Sequence, residues 1–369
     1  MSENSFERSD ESNEQFNEQL NEQFDKQSCT TRYYFIVEYV WIGGNGELRS
    51  KTRVLYSTKI TGYKLSDIPV WNYDGSSTNQ ANGSSSEVFL YPRSIYRCPF
   101  RRNVNGAIAM CDTYDVNGAP LKTNYRYNAN IIFEKYKNEK PWYGLEQEYF
   151  IFSKDTNQPI GMEYASKQGQ YYCSVGSQNA YGRRISDEHM EACLYAGIKI
   201  SGTNLEVAPG QHEFQIGPVE GISAADQLWI ARFILEKISE HYDRYIVYHP
   251  KPLQGDWNGS GCHTNFSTES MRSQGGLKVI TEAMNKLRTK HSEHMKVYGI
   301  DNDLRLTGNH ETASINEFSY GIGSRQCSVR IPNDTAKNSC GYFEDRRPAA
   351  NIDPYQVTSI ILQTVCESD

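Results

Sequence analysis

The chain changes its hydrophobic rhythm several times. From Tyr33 to Ile42 nearly every side chain is aromatic or β-branched, which predicts a strand. The run stops at Gly43-Gly44-Asn45-Gly46, a turn signal, and Arg53-Val54-Leu55-Tyr56 follows as a return strand. Residues 71–87 are too rich in Ser, Gly and Asn for a regular element, and so long a loop inside a compact domain is functional or disordered. From about Thr123 strands alternate with helices: a strand over 144–152, a helix over 186–197, and strands with turns over 198–217. Ser223 is read as the N-cap of a long helix, with Asp226 at its third position, where an acid suits the dipole. The stripe Leu228, Ile234, Leu235 and Ile238 is the core face of that helix. A second long helix is expected over 277–298, and short elements over 329–332 and 341–347. The pattern predicts a small β-rich domain over 33–117 and a larger α/β domain over 123–369.

Residues 1–32 differ in kind, as a polar tail expected to be disordered. Within it Asn-Glu-Gln-Phe/Leu repeats three times, and Phe16, Leu20 and Phe24 would share one side of a short helix, so the alternative is a helix ordered against another subunit.

Composition narrows the function classes. Of 369 residues, 38 are basic and 45 acidic, a net charge of −7 that argues against binding to a nucleic-acid backbone. No apolar run is long enough for a membrane span, and the N-terminus has no apolar region typical of a secretory signal. Nine cysteines without any C-x-x-C argue against a disulfide framework or a structural zinc site, and favour reduced thiols in the cytoplasm.

The chemistry-bearing residues cluster. Glu146 and Glu148 fall two apart on a predicted strand and so face the same way, while Leu145 and Tyr149 face the other. Two such carboxylates repel unless a cation lies between them or one is protonated, though a solvated edge strand is an equally good reading of this pair alone. A hairpin turning at Pro209-Gly210 would set Glu206 opposite Glu213, although Pro-Gly is not the favoured two-residue hairpin turn. Together the two pairs suggest an oxygen-rich site for hard Mg2+ or Mn2+. Residues 257–267 form a Gly-rich stretch whose backbone can approach phosphate closely, and which carries His263. Arg305, Arg325, Arg330, Arg346 and Arg347 match carboxylate and phosphate oxygens, or else form a solvated basic surface. His291 and His294 sit three apart on a predicted helix, but nothing near them completes a metal shell.

Six motifs resemble glutamine synthetase of the eukaryotic (type II) class, in that family's order. They are Trp71-Asn72-Tyr73-Asp74-Gly75-Ser76-Ser77-Thr78, Glu146-Gln147-Glu148-Tyr149, Gly202-Thr203-Asn204-Leu205-Glu206-Val207, the stretch Asn258 to Ser267, Arg305-Leu306-Thr307-Gly308-Asn309-His310-Glu311-Thr312, and Gly341-Tyr342-Phe343-Glu344-Asp345-Arg346-Arg347-Pro348. The resemblance implies an α+β fold: a small N-terminal β-grasp domain and a larger catalytic α/β domain, whose antiparallel strands form an active-site barrel or funnel flanked by helices. It also implies a homo-oligomer with active sites shared between neighbours, a decamer of two pentameric rings.

The implied reaction joins ammonia to L-glutamate at the expense of ATP, giving L-glutamine, ADP and phosphate by way of γ-glutamyl phosphate. By resemblance Glu146, His263 and Glu344 hold one Mg2+ or Mn2+, and Glu148, Glu206 and Glu213 hold another. Asn258, Gly259, Arg305, Arg325 and Arg346 would bind glutamate. Trp142, Asn265, Phe266, Ser267, Arg325, Arg330, Tyr342, Phe343 and Glu344 would meet the nucleotide. Asp74, Ser77, Tyr172 and Glu311 would form the ammonium pocket, with Glu311 as its flap and Asp74, Glu311 and Arg325 as catalytic groups. The chain departs from the family at His212, where Trp is usual, at Glu87, where Asp is usual, in a shortened stretch between Tyr149 and Tyr171, and in its tail. His212 adjoins Glu213, so this departure bears on metal affinity and its pH dependence. Two other functions stay open: a ligase joining glutamate to an organic amine, and a non-catalytic ring-forming relative. The ammonium residues and all six metal ligands are retained, which favours the first reading.

Overall fold

The computed structural model describes residues 33–57, 64–102, 105–165 and 167–367; the expectations for the N-terminal tail lie outside the described residues. The first sheet contains β1 (Tyr33–Ile42), β2 (Leu48–Ser57), β3 (Trp71–Asp74), β4 (Glu87–Arg97) and β5 (Gly106–Tyr114), in the order β2-β1-β5-β4-β3. β1 and β2 form the expected hairpin, in register from Tyr33–Ser57 to Ile42–Leu48, and β1 runs parallel to β5. Alternation on β1 sends Phe35, Val37, Tyr39 and Trp41 into a small core, while Val40 and Ile42 enter the main one. The expected irregular loop begins later than its composition suggested. Trp71–Asp74 is a strand paired with residues 87–90, because its aromatic side chains pack beside Tyr39 and Trp41. Beyond it Asp74 caps a short 3-10 turn by accepting from Ser76 N.

The second sheet has nine strands: β6 (Trp142–Ser153), β7 (Gln158–Pro159), β8 (Ile200–Leu205), β9 (Gln211–Glu220), β10 (Arg244–Val247), β11 (Cys262–Ser267), β12 (Tyr320–Ile322), β13 (Val329–Ile331) and β14 (Phe343–Asp345). Its pairings are antiparallel except β12 with β13. β6 is flanked by β11 and β9, so it is interior, and the solvated edge reading of Glu146 and Glu148 is overturned.

The helix Ser223–His241 is packed against β6, β9 and β10, with its apolar stripe fully buried. Ile222, not Ser223, stands at its N-cap; the Ser223 hydroxyl instead accepts from Gln227 Nε2 at 3.2 Å. Asp226 is no exposed dipole partner. It takes a two-pronged salt bridge from Arg126, 2.8 Å at each oxygen, and a bond from Tyr355 at 2.5 Å. It thus ties the helices Tyr125–Lys135 and Pro354–Cys366 to this one. The expected helix over 277–298 divides at Lys290 into Gly276–Thr289 and His291–Met295. Past that break His291 and His294 are buried, and their ring nitrogens meet Ile315 O, Arg347, Tyr298 and Thr364, none of them a metal shell. Among the described residues every cysteine is free, and no helix is long and apolar enough to cross a membrane.

Candidate active site

Pleat alternation on β6 buries Leu145 and Tyr149 on one side of the sheet and turns Glu146 and Glu148 to the other. On that side Glu148 pairs directly with Glu213 of β9, and Glu146 with His263 of β11. The hairpin register differs from the expected one by two residues. Leu205 pairs with His212 and Glu206 N donates to Gln211 O at 2.9 Å, so Glu213 faces Asn204 rather than Glu206. The connection is wider than a two-residue turn because Gln211 folds back on it, its N and side-chain oxygen both bonded to Ala208. The Glu206 carboxylate still reaches the same cavity, accepting from Asn204 Nδ2 at 2.9 Å.

This cavity has a volume of about 300 Å3. Its walls include Glu146, Glu148, Tyr172, Glu206, Glu213, Asn258, Gly259, His263, Arg305, Glu311, Arg325 and Arg346, twelve of the residues singled out in the sequence. Burial pushes the carboxyls of Glu148, Glu206 and Glu213 well above the usual range. Mutual repulsion adds to it, from Glu206 on Glu148, from Glu213 on Glu206, and from Glu146 and Glu148 on Glu213. Such a group of acids is what a hard divalent cation resolves.

A second cluster adjoins it. Glu146, His263 and Glu344 each offer a ligand atom, all within 4.8 Å of one another. Burial holds the His263 imidazole neutral, the form that can ligate a metal. Glu344 accepts from Arg330 at 3.0 Å and from Arg346 at 2.6 Å, which fixes its orientation. Two carboxylates and one imidazole form a donor set that a divalent cation can accept.

Two glycines make room. A Cβ on Gly259 would lie 2.4 Å from Arg305 Cγ and 2.5 Å from Pro250 O, and one on Gly261 would lie 3.0 Å from His263 Nε2. Arg305 is buried and anchored by Asn302 and three backbone carbonyls, and burial lowers its pKa to about 10. Glu311 and His310 both adopt left-handed backbone, at φ 60° and 52°, which costs about 1–3 kcal/mol each and is the kind of strain found in active-site loops.

On the other side of Glu146 opens a more apolar cavity of about 470 Å3, lined by Trp142, Phe266, Tyr342, Asn265 and Ser267 among others. Arg272 covers Trp142 at 4.0 Å; nothing in its sequence neighbourhood marked it. Phe343 lines neither cavity, since its side chain lies in the core against Phe266; Arg330 also lines neither, and pairs with Glu344. Asp74 and Ser77 line neither cavity of their own chain. Asp74 is exposed at the end of β3 and accepts from the Ser76 and Ser77 hydroxyls, which hold its pKa down to about 2. His212 points away from the carboxylates. It is buried, contacts Tyr181 O at 2.8 Å and stacks on Tyr149. Glu87 pairs across the sheet with Asp74. The sequence reading missed Gln211 and Gln215, whose i, i+2 spacing about Glu213 on one strand face could have revealed them. Gln211 donates to Glu148 at 3.1 Å and to Gly259 O at 3.0 Å.

Residues 126–296 match the family model for the glutamine synthetase catalytic domain. The chain is 87% identical over the full length of both to a protein of Acanthamoeba polyphaga mimivirus whose name assigns it provisionally to glutamine synthetase. It is 55% identical to glutamine synthetase root isozyme 3 of Zea mays, over 89% of this chain and 93% of that one. The same identity and 89% of this chain relate it to glutamine synthetase cytosolic isozyme 1-3 of Arabidopsis thaliana, 94% of which is covered. The glutamine synthetase of Plasmodium falciparum shares the fold, with a TM-score of 0.69 at 21% identity over 95% of this chain and 74% of that one. Acidic cavity, mixed α+β fold and relatives agree, and the chain belongs to the glutamine synthetase family, eukaryotic type.

Proposed function

We propose that this chain catalyses the ATP-dependent ligation of ammonia to L-glutamate. The observation that carries the reading is the single cavity in which five candidate metal ligands face Arg305, Arg325 and Arg346. A carboxylate attacking a triphosphate brings anions together, so the site must supply positive charge. Glu146, His263 and Glu344 would hold one divalent cation and Glu148, Glu206 and Glu213 another, Mg2+ or Mn2+, which when bound neutralise phosphoryl and carboxylate oxygens.

In this reading Arg305, Arg346, Asn258 and Gly259 orient glutamate, and Arg325 and Arg330 balance phosphate charge. Trp142, Phe266, Tyr342, Asn265 and Ser267 receive the base and ribose in the apolar cavity, with Phe343 backing Phe266. The γ-carboxylate oxygen of glutamate bonds to the γ-phosphorus as ADP leaves. The ammonia nitrogen then bonds to the acyl carbon, the bond from that carbon to the phosphate oxygen breaks, and the proton that the nitrogen gives up leaves with the departing phosphate. Glu311, on its strained loop, shields the acyl phosphate from water. Asp74 and Ser77 would complete a neighbour's ammonium pocket beside Tyr172 and Glu311, which calls for a homo-oligomer, a decamer of two pentameric rings. The same reading divides the chain at 33–117 and 123–369 and places the protein in the cytoplasm, which accords with its free thiols. Mg2+- and ATP-dependent phosphate release with glutamate tests it, comparing ammonium with methylamine and larger amines. Ammonium should be the preferred acceptor; a preference for a larger amine, or no turnover, rejects the reading.

A further inference from the structure

Between the two acidic positions of β6 sits a side chain that points the other way. Gln147 is fully buried and meets Arg232 of the helix Ser223–His241. Arg232 Nε and Nη2 both donate to Gln147 Oε1, at 2.9 and 2.5 Å. Its Nη1 donates to Ile352 O at 2.8 Å, and Nη2 also to Ala350 O at 3.1 Å. Gln147 Nε2 in turn donates to Glu148 O at 2.8 Å and to Ala350 O at 3.0 Å.

The network reaches further through the backbone. Ala350 N donates to Ser260 O and Cys262 N to Pro348 O, each at 3.0 Å. One clasp therefore joins three chain segments: β6 with Glu146 and Glu148, residues 260–263 with His263, and residues 344–352 with Glu344 and Arg346. These are distant in sequence, and together they supply four of the six candidate metal ligands.

Arg232 is a costly residue for packing alone. It is 3% exposed, and its four hydrogen bonds all end on neutral oxygens. Trp229 and Tyr248 flank the guanidinium at 4.8 and 5.2 Å, and its charge is also felt by Glu236 and Asp353. Taking a cation out of water in this way is expensive, and an apolar side chain of similar volume would fill the space without that penalty. What an apolar side chain cannot do is grip Gln147 with two donors and two separate carbonyls with the rest.

We propose that Arg232 and Gln147 are positioning residues that hold Glu146, Glu148, His263 and Glu344 at the mutual spacing a divalent cation requires. The inference rests on the metal sites proposed above. Groups behind metal ligands typically govern affinity by about 10- to 100-fold without touching the metal.

The test titrates Mn2+ into the purified full-length protein and follows free Mn2+ by electron paramagnetic resonance. The variants are Gln147→Met, which keeps volume but removes the clasp, and Arg232→Lys, which keeps charge but loses the fork. Ile361→Val, in the same core away from the clasp, is the control for lost stability. Gln147→Met should bind Mn2+ about 10- to 100-fold more weakly, with Arg232→Lys between it and wild type. The control should melt at lower temperature and bind Mn2+ as wild type does. If both clasp variants bind Mn2+ within twofold of wild type, or if the control weakens binding equally, the clasp has only a structural role. A wild-type chain that takes up no Mn2+ refutes the metal sites themselves.

Discussion

Glu148 and Glu213 stand directly opposite one another on the adjacent strands β6 and β9. Like charges in that relation destabilise a sheet, and here Glu213 is buried and Glu148 half-buried. The fold therefore spends stability to keep an acidic pair where a cation can join it.

Replacing Glu213 with Gln keeps the shape and removes one of the facing charges. The metal-free variant should melt at a higher temperature than wild type, while the rise in melting temperature on adding Mg2+ shrinks. Turnover should fall at least about tenfold, since loss of a ligand should cost no less than loss of a group behind one. Calorimetry with and without Mg2+, beside phosphate release, measures both. Full turnover at ordinary Mg2+ rejects Glu213 as a ligand.

Room at Gly259 is set by backbone as well as by a side chain. Gly259→Ala would place its Cβ 2.5 Å from Pro250 O and 2.4 Å from Arg305 Cγ, so the loop and the arginine must both shift. The Michaelis constant for glutamate should rise more than that for ATP, because the apolar cavity is untouched. Equal changes in both constants would remove Gly259 from the glutamate site.

His212 predicts an acid-sensitive core. Burial lowers its pKa to about 4, against about 6.5 in an unfolded chain. As pH falls from about 6.5 toward 4 the unfolded chain takes up the proton first, and stability drops by up to about 1.4 kcal/mol per pH unit. His189 and His294, held near 4 and 3, add to the same slope. His212→Phe should move the midpoint of acid unfolding, followed by circular dichroism, to lower pH. An unmoved midpoint would mean that protonation of His212 does not drive the transition.

Asp74→Asn separates the two chemical steps. The Ser76 and Ser77 hydroxyls keep the Asp74 carboxylate charged to about pH 2, which suits holding ammonium and makes it a weak proton acceptor while they stay bonded. Acyl phosphate formation should survive the change, and the ammonia step should slow by about ten- to a hundred-fold, the worth of a hydrogen bond to a charged group. Rapid-quench kinetics resolve the two. Equal loss in both, or none in either, would show that Asp74 has no such role.

Short-range pattern was enough for much of this site. Glu146 and Glu148 were visible because strand period alone aligns them, and β6 is where that reading expected a strand. The partners that complete the site were less legible. Glu213 meets Glu148 through the β6–β9 pairing, which no local spacing encodes, and the wide 206–210 connection moved the hairpin register by two residues. Ser223 looked like a cap from its position before an apolar stripe, but Ile222 took that place. His212 looked like a neighbour of the metal because it adjoins Glu213 in sequence; the same alternation that aims Glu213 at the cavity aims His212 into the core. Arg232 drew no notice because it lies within a stripe read as purely apolar.

One carboxylate lies in the walls of both cavities: Glu146 borders the acidic pocket and the apolar one beside it. Occupants of the two can then influence one another through it. Whatever one of them does to the position or charge of Glu146, the other meets as a changed wall. By thermodynamic reciprocity, the factor by which a ligand in the first pocket alters affinity in the second must equal the factor in the reverse direction. A single shared side chain is thus a route by which occupants of the two cavities can favour or disfavour one another.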